Sequence, residues 1–287
     1  MRYVFFGSPK FAAIILEKLI DAGYIPTAVV CNPDRPVGRK KIITPPPVKA
    51  RIMNYELGIR NKIKILQPEK LDEKFHNSLF KIHNSFDFFV VAAYANIISK
   101  QILDIPKLGT IGVHPSILPK HRGSSPIQTA ILNNDEKTGV TLYLMDEKMD
   151  NGPIIAQSEI KITNQNYEKL SEELANSGVN LLIETLPKFL RGEITPKEQN
   201  HNQATFTKKF TTQDAFIEPE ELEKAINIGG EIAVKIYNKI RALNPEPGTW
   251  TLRNDKRMKI LEAELIDDKK LKLKTIQYEG APRPKIL

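Results

Sequence analysis

Apolar positions at the start of the chain change from a continuous run to helical spacing. Tyr3–Phe6 is a short apolar run that predicts a buried strand, and a Gly-Ser-Pro turn follows it. We expect Ser8 to cap a helix with Pro9 at its first position, because proline lacks the N–H that would be unpaired there. Apolar residues then recur three and four positions apart from Phe11 to Ile20, where an Asp-Ala-Gly sequence ends the helix.

The same alternation of strand and helix patterns continues to residue 190. It predicts further strands at 27–31, 87–93, 110–114, 139–145 and 153–162, and helices at 97–103, 126–133 and 167–190. Strands that alternate with helices are typical of an α/β fold with a Rossmann-like, mostly parallel sheet covered by helices. In such sheets ligands bind at the carboxyl ends of the strands.

The pattern changes after Thr195-Pro196. Residues 197–205 are polar and are interpreted as a linker between a domain at 1–196 and a second domain at 206–287. A helical pattern at 222–243, interrupted by two glycines, precedes short strand patterns at 249–252, 258–265 and 271–278. About 80 residues of this kind predict a small β-barrel with one helix.

Composition excludes several protein classes. Of the 287 residues, 41% are hydrophobic and 26% charged, which is ordinary for a globular protein and excludes fibrous and low-complexity chains. The longest apolar run, 86–98, contains Asp87 and is too short for a membrane span of ~20 residues, so we expect no membrane partner. A start without a signal-peptide pattern and a single cysteine, Cys31, suit a protein of the reducing cytoplasm. We expect the protein to be a monomer.

Positive charge is concentrated in one segment. The chain has 42 Lys and Arg against 34 Asp and Glu, a net charge of +8. Residues 33–51 hold six basic side chains and one acid, together with a Pro-Pro-Pro sequence. This segment is either a solvated surface loop or a surface for a polyanion such as nucleic acid.

Two residues could carry acid–base chemistry. His114 ends a predicted buried strand, where a parallel sheet binds ligands, although a lone histidine is more often structural. Asp150 lies in an Asp-Asn-Gly loop between two predicted strands, and its simplest interpretation is a turn residue. If the fold brings them together, the carboxylate could orient the imidazole for proton transfer.

Short motifs spread over nearly the whole chain resemble those of the folate-dependent formyltransferases. No single motif is decisive, but their order and the 36-residue separation of His114 from Asp150 are specific. The motifs are Phe6-Gly7-Ser8-Pro9-Lys10-Phe11-Ala12, Pro33-Asp34-Arg35-Pro36-Val37-Gly38-Arg39-Lys40-Lys41, Val113-His114-Pro115-Ser116-Ile117-Leu118-Pro119 with Arg122-Gly123, Pro126-Ile127-Gln128, Thr138-Gly139-Val140-Thr141 and Met149-Asp150-Asn151-Gly152.

The closest resemblance is to the branch of this family that acts on initiator methionyl-tRNA. It implies transfer of a formyl group from 10-formyltetrahydrofolate to the α-amine of the esterified methionine, for translation initiation. His114 would stabilise the oxyanion or move protons, and Asp150 would orient and charge-stabilise the imidazole.

One position departs from the family pattern. Members normally have Asn two residues before the histidine, where its amide helps to hold the formyl oxygen, and this chain has Gly112. Loss of one oxyanion donor typically costs ~10²–10³ in turnover, so catalysis is expected to be impaired or to use another donor. From the sequence alone, Gly112→Asn is predicted to raise single-turnover formylation at least about tenfold.

The resemblance also implies a folate site without a metal. Two segments would line the pterin pocket, and Ala95 replaces a glycine usual in the family, which would narrow the pocket. The expected lining residues are Tyr94, Ala95, Ile97 and Ile98 on one side, and Ser116, Ile117, Leu118 and Pro119 on the other. Ile97 and Ile98 are equally interpretable as ordinary core. His76, His83, His121 and His201 have no neighbours at metal-ligand spacing.

The basic segment implies tRNA as the second substrate. Phosphate contacts from such a segment provide affinity and register rather than sequence readout. The expected tRNA-binding residues are Arg39 above all, then Lys40, Lys41 and Lys49, with Lys208 and Lys209 at the start of a C-terminal domain that resembles an oligonucleotide-binding barrel. For lysines of its last strands, such as Lys272, a solvated strand face is as good an explanation as contact with RNA.

Two alternatives remain open. A sugar-nucleotide N-formyltransferase would share the same histidine, aspartate and folate site, but the basic proline-rich loop argues against it. A non-catalytic relative that binds folate or tRNA would explain Gly112.

Overall fold

The computed structural model describes residues 1–38, 40–83 and 85–287, without the side chain of Asp268. The strands are β1 Tyr3–Phe6, β2 Ala28–Val30, β3 Arg35–Val37, β4 Ile42–Thr44, β5 Lys64–Leu66, β6 Phe88–Ala92, β7 Thr110–His114, β8 Arg122–Gly123, β9 Lys137–Leu144, β10 Ile154–Lys161, β11 Phe206–Thr207, β12 Trp250–Arg253, β13 Lys256–Ile266, β14 Lys270–Tyr278 and β15 Lys285–Ile286. The helices are α1 Lys10–Asp21, α2 Pro47–Met53, α3 Leu57–Arg60, α4 Glu73–Ile82, α5 Lys100–Leu103, α6 Pro126–Leu132, α7 Tyr167–Leu190, α8 Pro219–Asn227 and α9 Glu231–Leu243, with single 3-10 turns at His201–Gln203 and Asp267–Lys269.

The chain divides into two compact units, each built from separate stretches of sequence. The first unit consists of residues 1–122, 139–160 and 171–205, and the second of 123–138, 161–170 and 206–287. Residues 197–205, which the sequence predicts as a linker, belong to the first unit: Lys197 exchanges backbone hydrogen bonds with Ile154.

A seven-stranded sheet forms the centre of the first unit, in the order β10-β9-β7-β6-β1-β2-β5. The strands β5, β2, β1, β6 and β7 run parallel to one another, whereas β9 runs antiparallel to β7. The mostly parallel α/β fold predicted from the sequence is therefore confirmed. The strands β1, β2 and β6 are buried at every residue, which is typical of parallel strands in a sheet that is covered on both faces.

One face of this sheet packs against α4. Alternate residues of β1 and β6, such as Phe6 and Phe89, form a buried cluster with Phe75 and Leu79 of the helix. Asp72 caps α4 by accepting a hydrogen bond from the Phe75 N–H. The predicted cap of α1 differs from the observed one.

The helix α1 begins one residue later than predicted, because Ser8 is used elsewhere. Pro9 is the N-cap residue, without a side-chain cap. The Ser8 hydroxyl instead accepts a hydrogen bond from the Asn32 N–H at 2.9 Å, which joins the ends of β1 and β2. The residues at this end of the sheet are therefore connected to one another across neighbouring strands.

The second unit contains the four-stranded antiparallel sheet β12-β13-β14-β15. Two helices, α8 and α9, accompany it where the sequence predicts one, because the Gly229-Gly230 pair separates them. Ile236 and Ile240 of α9 form a buried cluster with Met258 and Ile276 of the sheet. Among the described residues, no helix combines the length and the apolar character needed to cross a lipid bilayer.

Candidate active site

His114 is the last residue of β7, at the carboxyl end of the parallel strands. The neighbouring strand β6 ends at the same edge, since Ala92 pairs with Val113. The segments that follow β6 and β7 therefore leave the sheet side by side, and the two predicted pocket segments are among them.

Both ring nitrogens of His114 face oxygen atoms. Nε2 lies 2.9 Å from the backbone oxygen of His121, which can only accept, so Nε2 is the donor. Nδ1 lies 3.6 Å from Oδ2 of Asp150, an ion-pair separation that is longer than a hydrogen bond. The structure thus brings together the two residues to which the sequence assigns the chemistry, and both are largely buried.

Tyr143 holds the other oxygen of the Asp150 carboxylate. Its hydroxyl donates a hydrogen bond of 2.7 Å to Asp150 Oδ1. Burial, together with the charge of Asp150, raises the pKa of Tyr143 well above its usual range, so the phenol keeps its proton at neutral pH. The carboxylate is consequently fixed between a phenol and an imidazole.

A clamp of two side chains, Arg122 and Gln199, fixes the backbone of the Asp150 loop. The Gln199 amide donates hydrogen bonds to the backbone oxygens of Asp150 and Gly152, at 3.0 and 2.7 Å. Its oxygen accepts from Nε and Nη2 of Arg122, at 3.2 and 2.6 Å. Arg122 Nη1 also donates to Asn151 Oδ1 at 3.1 Å. Asp150 has a φ of 50°, a conformation that non-glycine residues adopt at a cost, and the clamp holds it there.

The backbone of Gly112 lies under the ring of Tyr143. These residues are directly opposite in the antiparallel pair β7 and β9. A Cβ atom at position 112 would lie 2.3 Å from Tyr143 Cε1 and 2.9 Å from its hydroxyl oxygen. Asparagine therefore does not fit at position 112 while Tyr143 stays in place, and the gain predicted for Gly112→Asn alone is not supported by this geometry.

Residues 94–98 follow β6 and include both buried and exposed side chains. Tyr94 is half-buried, with its ring 5.7 Å from that of Phe6, and its hydroxyl accepts a hydrogen bond from Asn96. Ala95 is exposed, and Ile97 is 91% exposed, whereas Ile98 belongs to the buried cluster against α4. The two isoleucines therefore differ: Ile98 is core, and the side chain of Ile97 is exposed.

Residues 116–119 follow β7 and are fixed by Thr141 and Gln157. Thr141 donates to the Ser116 backbone oxygen at 2.7 Å and accepts from the Leu118 N–H at 3.0 Å. Gln157 donates to the Leu118 backbone oxygen at 2.9 Å. Ser116 and Leu118 are buried, whereas Ile117 and Pro119 are partly exposed. Only the latter two side chains reach the surface of this segment.

The basic segment forms an exposed hairpin of β3 and β4. Val37 pairs with Ile42 across the hairpin, and both are exposed. Lys40 and Lys41 lie exposed at its tip. Arg39, the residue that the resemblance favours most for tRNA binding, lies outside the described residues.

The remaining lysines of the expected tRNA surface have different surroundings. Lys49 donates to both carboxylate oxygens of Asp34, at 3.0 and 2.8 Å, and to Gln67 at 2.8 Å, so its ammonium group is used within the first unit. This favours a structural role for Lys49. Lys208 forms an ion pair with Asp214, while Lys209 is exposed.

Metal-ligating side chains are scattered through the described part of the chain. Within residues 1–38, 40–83 and 85–287, no group of three or more His, Cys, Asp or Glu residues is placed to hold a metal ion. His121 contributes its backbone oxygen to His114, and His201 Nδ1 lies 2.9 Å from Arg122 Nη2.

Comparison with known proteins identifies the family. The model of the family described as "Formyl transferase" matches residues 1–186, and that of "Formyl transferase, C-terminal domain" matches residues 222–280. The chain belongs to the formyltransferase family. Both units contain residues matched by these formyltransferase models, and His114 and Asp150 lie in the first match.

Named formyltransferases are similar over most of the chain. It is 39% identical to the methionyl-tRNA formyltransferase of Bacillus licheniformis over 92% of this chain and 78% of the relative. It is 40% identical to that of Halalkalibacterium halodurans over 94% of this chain and 80% of the relative.

Solved formyltransferase structures share the fold. Methionyl-tRNA formyltransferase from Clostridium thermocellum has a TM-score of 0.61 at 16% identity, covering 97% of this chain and 98% of its own. An N-formyltransferase from Helicobacter canadensis, in complex with folinic acid and dTDP-3-aminofucose, has a TM-score of 0.61 at 22% identity, covering 92% and 88%.

Sequence reasoning missed Tyr143 and Gln199 in this formyltransferase. Tyr143 looked like one apolar residue of a strand, and Gln199 like part of a polar linker. A glycine in a buried strand was the available signal for Tyr143, because such a glycine often marks the close approach of another group. Nothing local distinguishes Gln199 from its exposed polar neighbours, although it is only 5% exposed in the structure.

Proposed function

We propose that this chain transfers the formyl group of 10-formyltetrahydrofolate to the α-amine of methionine on initiator tRNA, and so acts in translation initiation. The observation that carries the proposal is the His114–Asp150 pair, 3.6 Å apart at the ligand-binding edge of a formyltransferase sheet. Relatives named methionyl-tRNA formyltransferase, at 39% and 40% identity over most of the chain, favour this substrate.

The reaction needs a neutral amine, and the tetrahedral oxyanion that forms when the amine attacks must be stabilised. A bond forms between the amine nitrogen and the formyl carbon, and the bond from that carbon to folate N10 breaks. One proton leaves the amine and one is added to N10, so protons balance. His114 would stabilise the oxyanion or move protons through Nε2, which would exchange its hydrogen bond to the His121 backbone oxygen for one to the reacting atoms. Asp150, which faces Nδ1, would stabilise the imidazolium by its charge.

The exposed apolar residues of the segments that follow β6 and β7 suit an aromatic co-substrate. Ile97 is 91% exposed, which is unusual for isoleucine, and it follows the strand next to His114. We assign Tyr94, Ala95 and Ile97 to one wall of the folate site and Ile117 and Pro119 to the other, with Ile98, Ser116 and Leu118 supporting them from the core. The bound folate supplies the activated formyl carbon.

The β3–β4 hairpin is the surface that we assign to the tRNA. Lys40 and Lys41 lie at its tip, and Ile42 adds an exposed apolar contact. Arg39, which precedes Lys40 in the sequence, belongs to the same proposal. Such charges bind phosphates and set the register of the acceptor stem without reading its sequence. In the second domain, Lys209 is the residue that we assign to tRNA binding.

Three further features belong to the same proposal. We assign catalysis to the domain at 1–196 and tRNA binding to the domain at 206–287, while residues 197–205 join these two along the chain and belong to the first unit. A monomer is sufficient, because one chain contains both His114 and Asp150. The reaction would take place in the cytoplasm, where translation begins.

A substrate comparison tests the proposal. The protein is incubated with 10-formyltetrahydrofolate and either methionyl initiator tRNA or a dTDP-linked amino sugar, and products are measured by mass spectrometry. Formylation of the tRNA is expected. Formylation of the amino sugar alone would make the chain a sugar-nucleotide N-formyltransferase, and no product with either would make it a non-catalytic relative.

Matched variants then assign the chemistry. Asp150→Asn is expected to lower the single-turnover rate by about 10²- to 10⁴-fold, the range of general acid–base catalysis. Asp104→Asn changes another aspartate of the first unit, which forms an ion pair with exposed Lys100 at 2.9 Å, and is expected to leave the rate unchanged. Equal rates for both variants would remove Asp150 from the mechanism.

A further inference from the structure

Gly112 departs from the family pattern, and its position is related directly to that of Tyr143. The residues are cross-strand partners, and the phenol ring fills the volume that a side chain at 112 would enter. The hydroxyl oxygen lies 2.9 Å from the place of a Cβ at 112, which is within the volume that a side chain at 112 would use. A polar group is therefore present near the position of the missing amide, but it comes from β9.

The hydroxyl has one proton, and the structure shows where it goes. A phenol donates one hydrogen bond, and that of Tyr143 is directed at Asp150 Oδ1 at 2.7 Å. Oδ2 of the same carboxylate faces His114. Since Tyr143 is buried and its ring contacts the backbone of β7, its orientation is fixed by packing.

We propose that Tyr143 is a positioning residue that occupies the space of the family's asparagine and holds the Asp150 carboxylate against His114. The inference rests on the proposed formyl transfer and deepens it. Tyr143 acts through Asp150, so position 112 gives the formyl oxygen no side-chain donor, and Tyr143 supports the reaction only by way of the Asp150–His114 pair. Tyr143 then requires glycine at position 112, because a Cβ there would overlap its ring, and Gly112 is not a defect of the site.

Loss of the hydroxyl alone tests the positioning role. Tyr143→Phe keeps the ring and is expected to lower kcat about tenfold, the effect of removing one hydrogen bond to a charged group, with the KM values for folate and tRNA within about twofold. If Tyr143 had only a packing role, Tyr143→Phe would lower the melting temperature and leave kcat unchanged.

Tyr55→Phe is the matched control. Tyr55 also donates to an aspartate of the same unit, at 2.8 Å to Asp21 Oδ1, with the Glu17 backbone oxygen 3.1 Å from the same hydroxyl. Its variant is expected to change the melting temperature as Tyr143→Phe does, and to leave kcat unchanged. A kcat for Tyr143→Phe equal to that of the wild type would overturn the positioning role.

A double-mutant cycle tests the shared space without requiring activity. Gly112→Asn alone is expected to lower both the melting temperature and kcat, because the new side chain overpacks the Tyr143 ring. Tyr143→Leu alone leaves a cavity and frees Asp150. In the double variant Gly112→Asn with Tyr143→Leu, each change relieves the other, so both properties are expected to exceed those of either single variant.

The outcomes separate this inference from the proposed function. Additive losses of melting temperature in the double variant would show that the two positions do not share one space, and would overturn the inference whatever the activity. Absence of tRNA formylation by the wild-type protein would instead overturn the proposed function, together with the positioning role of Tyr143 in that reaction. If the double variant recovers melting temperature but not kcat, asparagine at position 112 does not replace the function of Tyr143. That result would contradict the inference that Tyr143 stands in the place of the family's asparagine.

Discussion

Removal of the Gln199 side chain is the sharpest perturbation of the Asp150 loop. Gln199→Ala deletes two hydrogen bonds to the backbone oxygens of Asp150 and Gly152 and two accepted from Arg122. At about 1 kcal/mol for each neutral bond and about 2 kcal/mol for the guanidinium contacts together, the loss is about 4 kcal/mol of unfolding free energy. Because Asp150 would leave its positive φ when unclamped, kcat is expected to fall as well.

Urea denaturation and single-turnover formylation measure these two effects. Gln277→Ala is the control, because Gln277 donates a single hydrogen bond, to the Ala281 backbone oxygen at 3.1 Å. It is expected to cost about 1 kcal/mol and to leave kcat unchanged. If Gln199→Ala costs no more than this control and retains full kcat, then the clamp neither stabilises the loop nor orders Asp150.

Three other predictions concern the hairpin, an ion pair and the thiol. Replacing Lys40 and Lys41 by Ala is expected to raise the KM for tRNA and to reduce the slope of log K against log salt by about 1 for each phosphate that the variant no longer neutralises, with folate binding unchanged in a titration. Hydrogen bonds from Lys49, then Gln67, lower the pKa of Asp34, so its contribution to stability is present above the unfolded carboxyl pKa and is lost as pH falls through the folded value. Below pH 3.8 the melting temperature of the wild type is therefore expected to fall more steeply than that of Asp34→Asn. Burial raises the pKa of Cys31 to about 12, so a thiol reagent at pH 8 is expected to modify the native protein only after urea is added.

Local patterns predicted the elements that local physics determines. The strand at 110–114 and the helix at 167–190 have the predicted bounds, because apolar spacing and end signals within each segment specify them. The placement of His114 at the ligand-binding edge followed from the same reasoning. Ser8 was assigned wrongly as a helix cap because its acceptor role depends on Asn32, which the fold brings near from 24 residues away.

Contacts between distant segments account for the rest. Gln199 is 49 residues from Asp150 and 77 from Arg122, so no window of sequence contains the clamp. The relation of Tyr143 to Gly112 depends on the register of β9 against β7, and a shift of one residue would turn the ring to the opposite face. Lys49 looked like a phosphate ligand because its partners, Asp34 and Gln67, are also outside its own helix.

The clamp on the Asp150 loop limits where the chain can be truncated. The first family model ends at residue 186, so a fragment cut there would retain His114 and Asp150 and lose Gln199. The same incomplete state would exist transiently during translation, because the ribosome synthesises the Asp150 loop before α7 and Gln199 after it. A truncated enzyme intended for assay should therefore continue through residue 205, the last residue of the first unit.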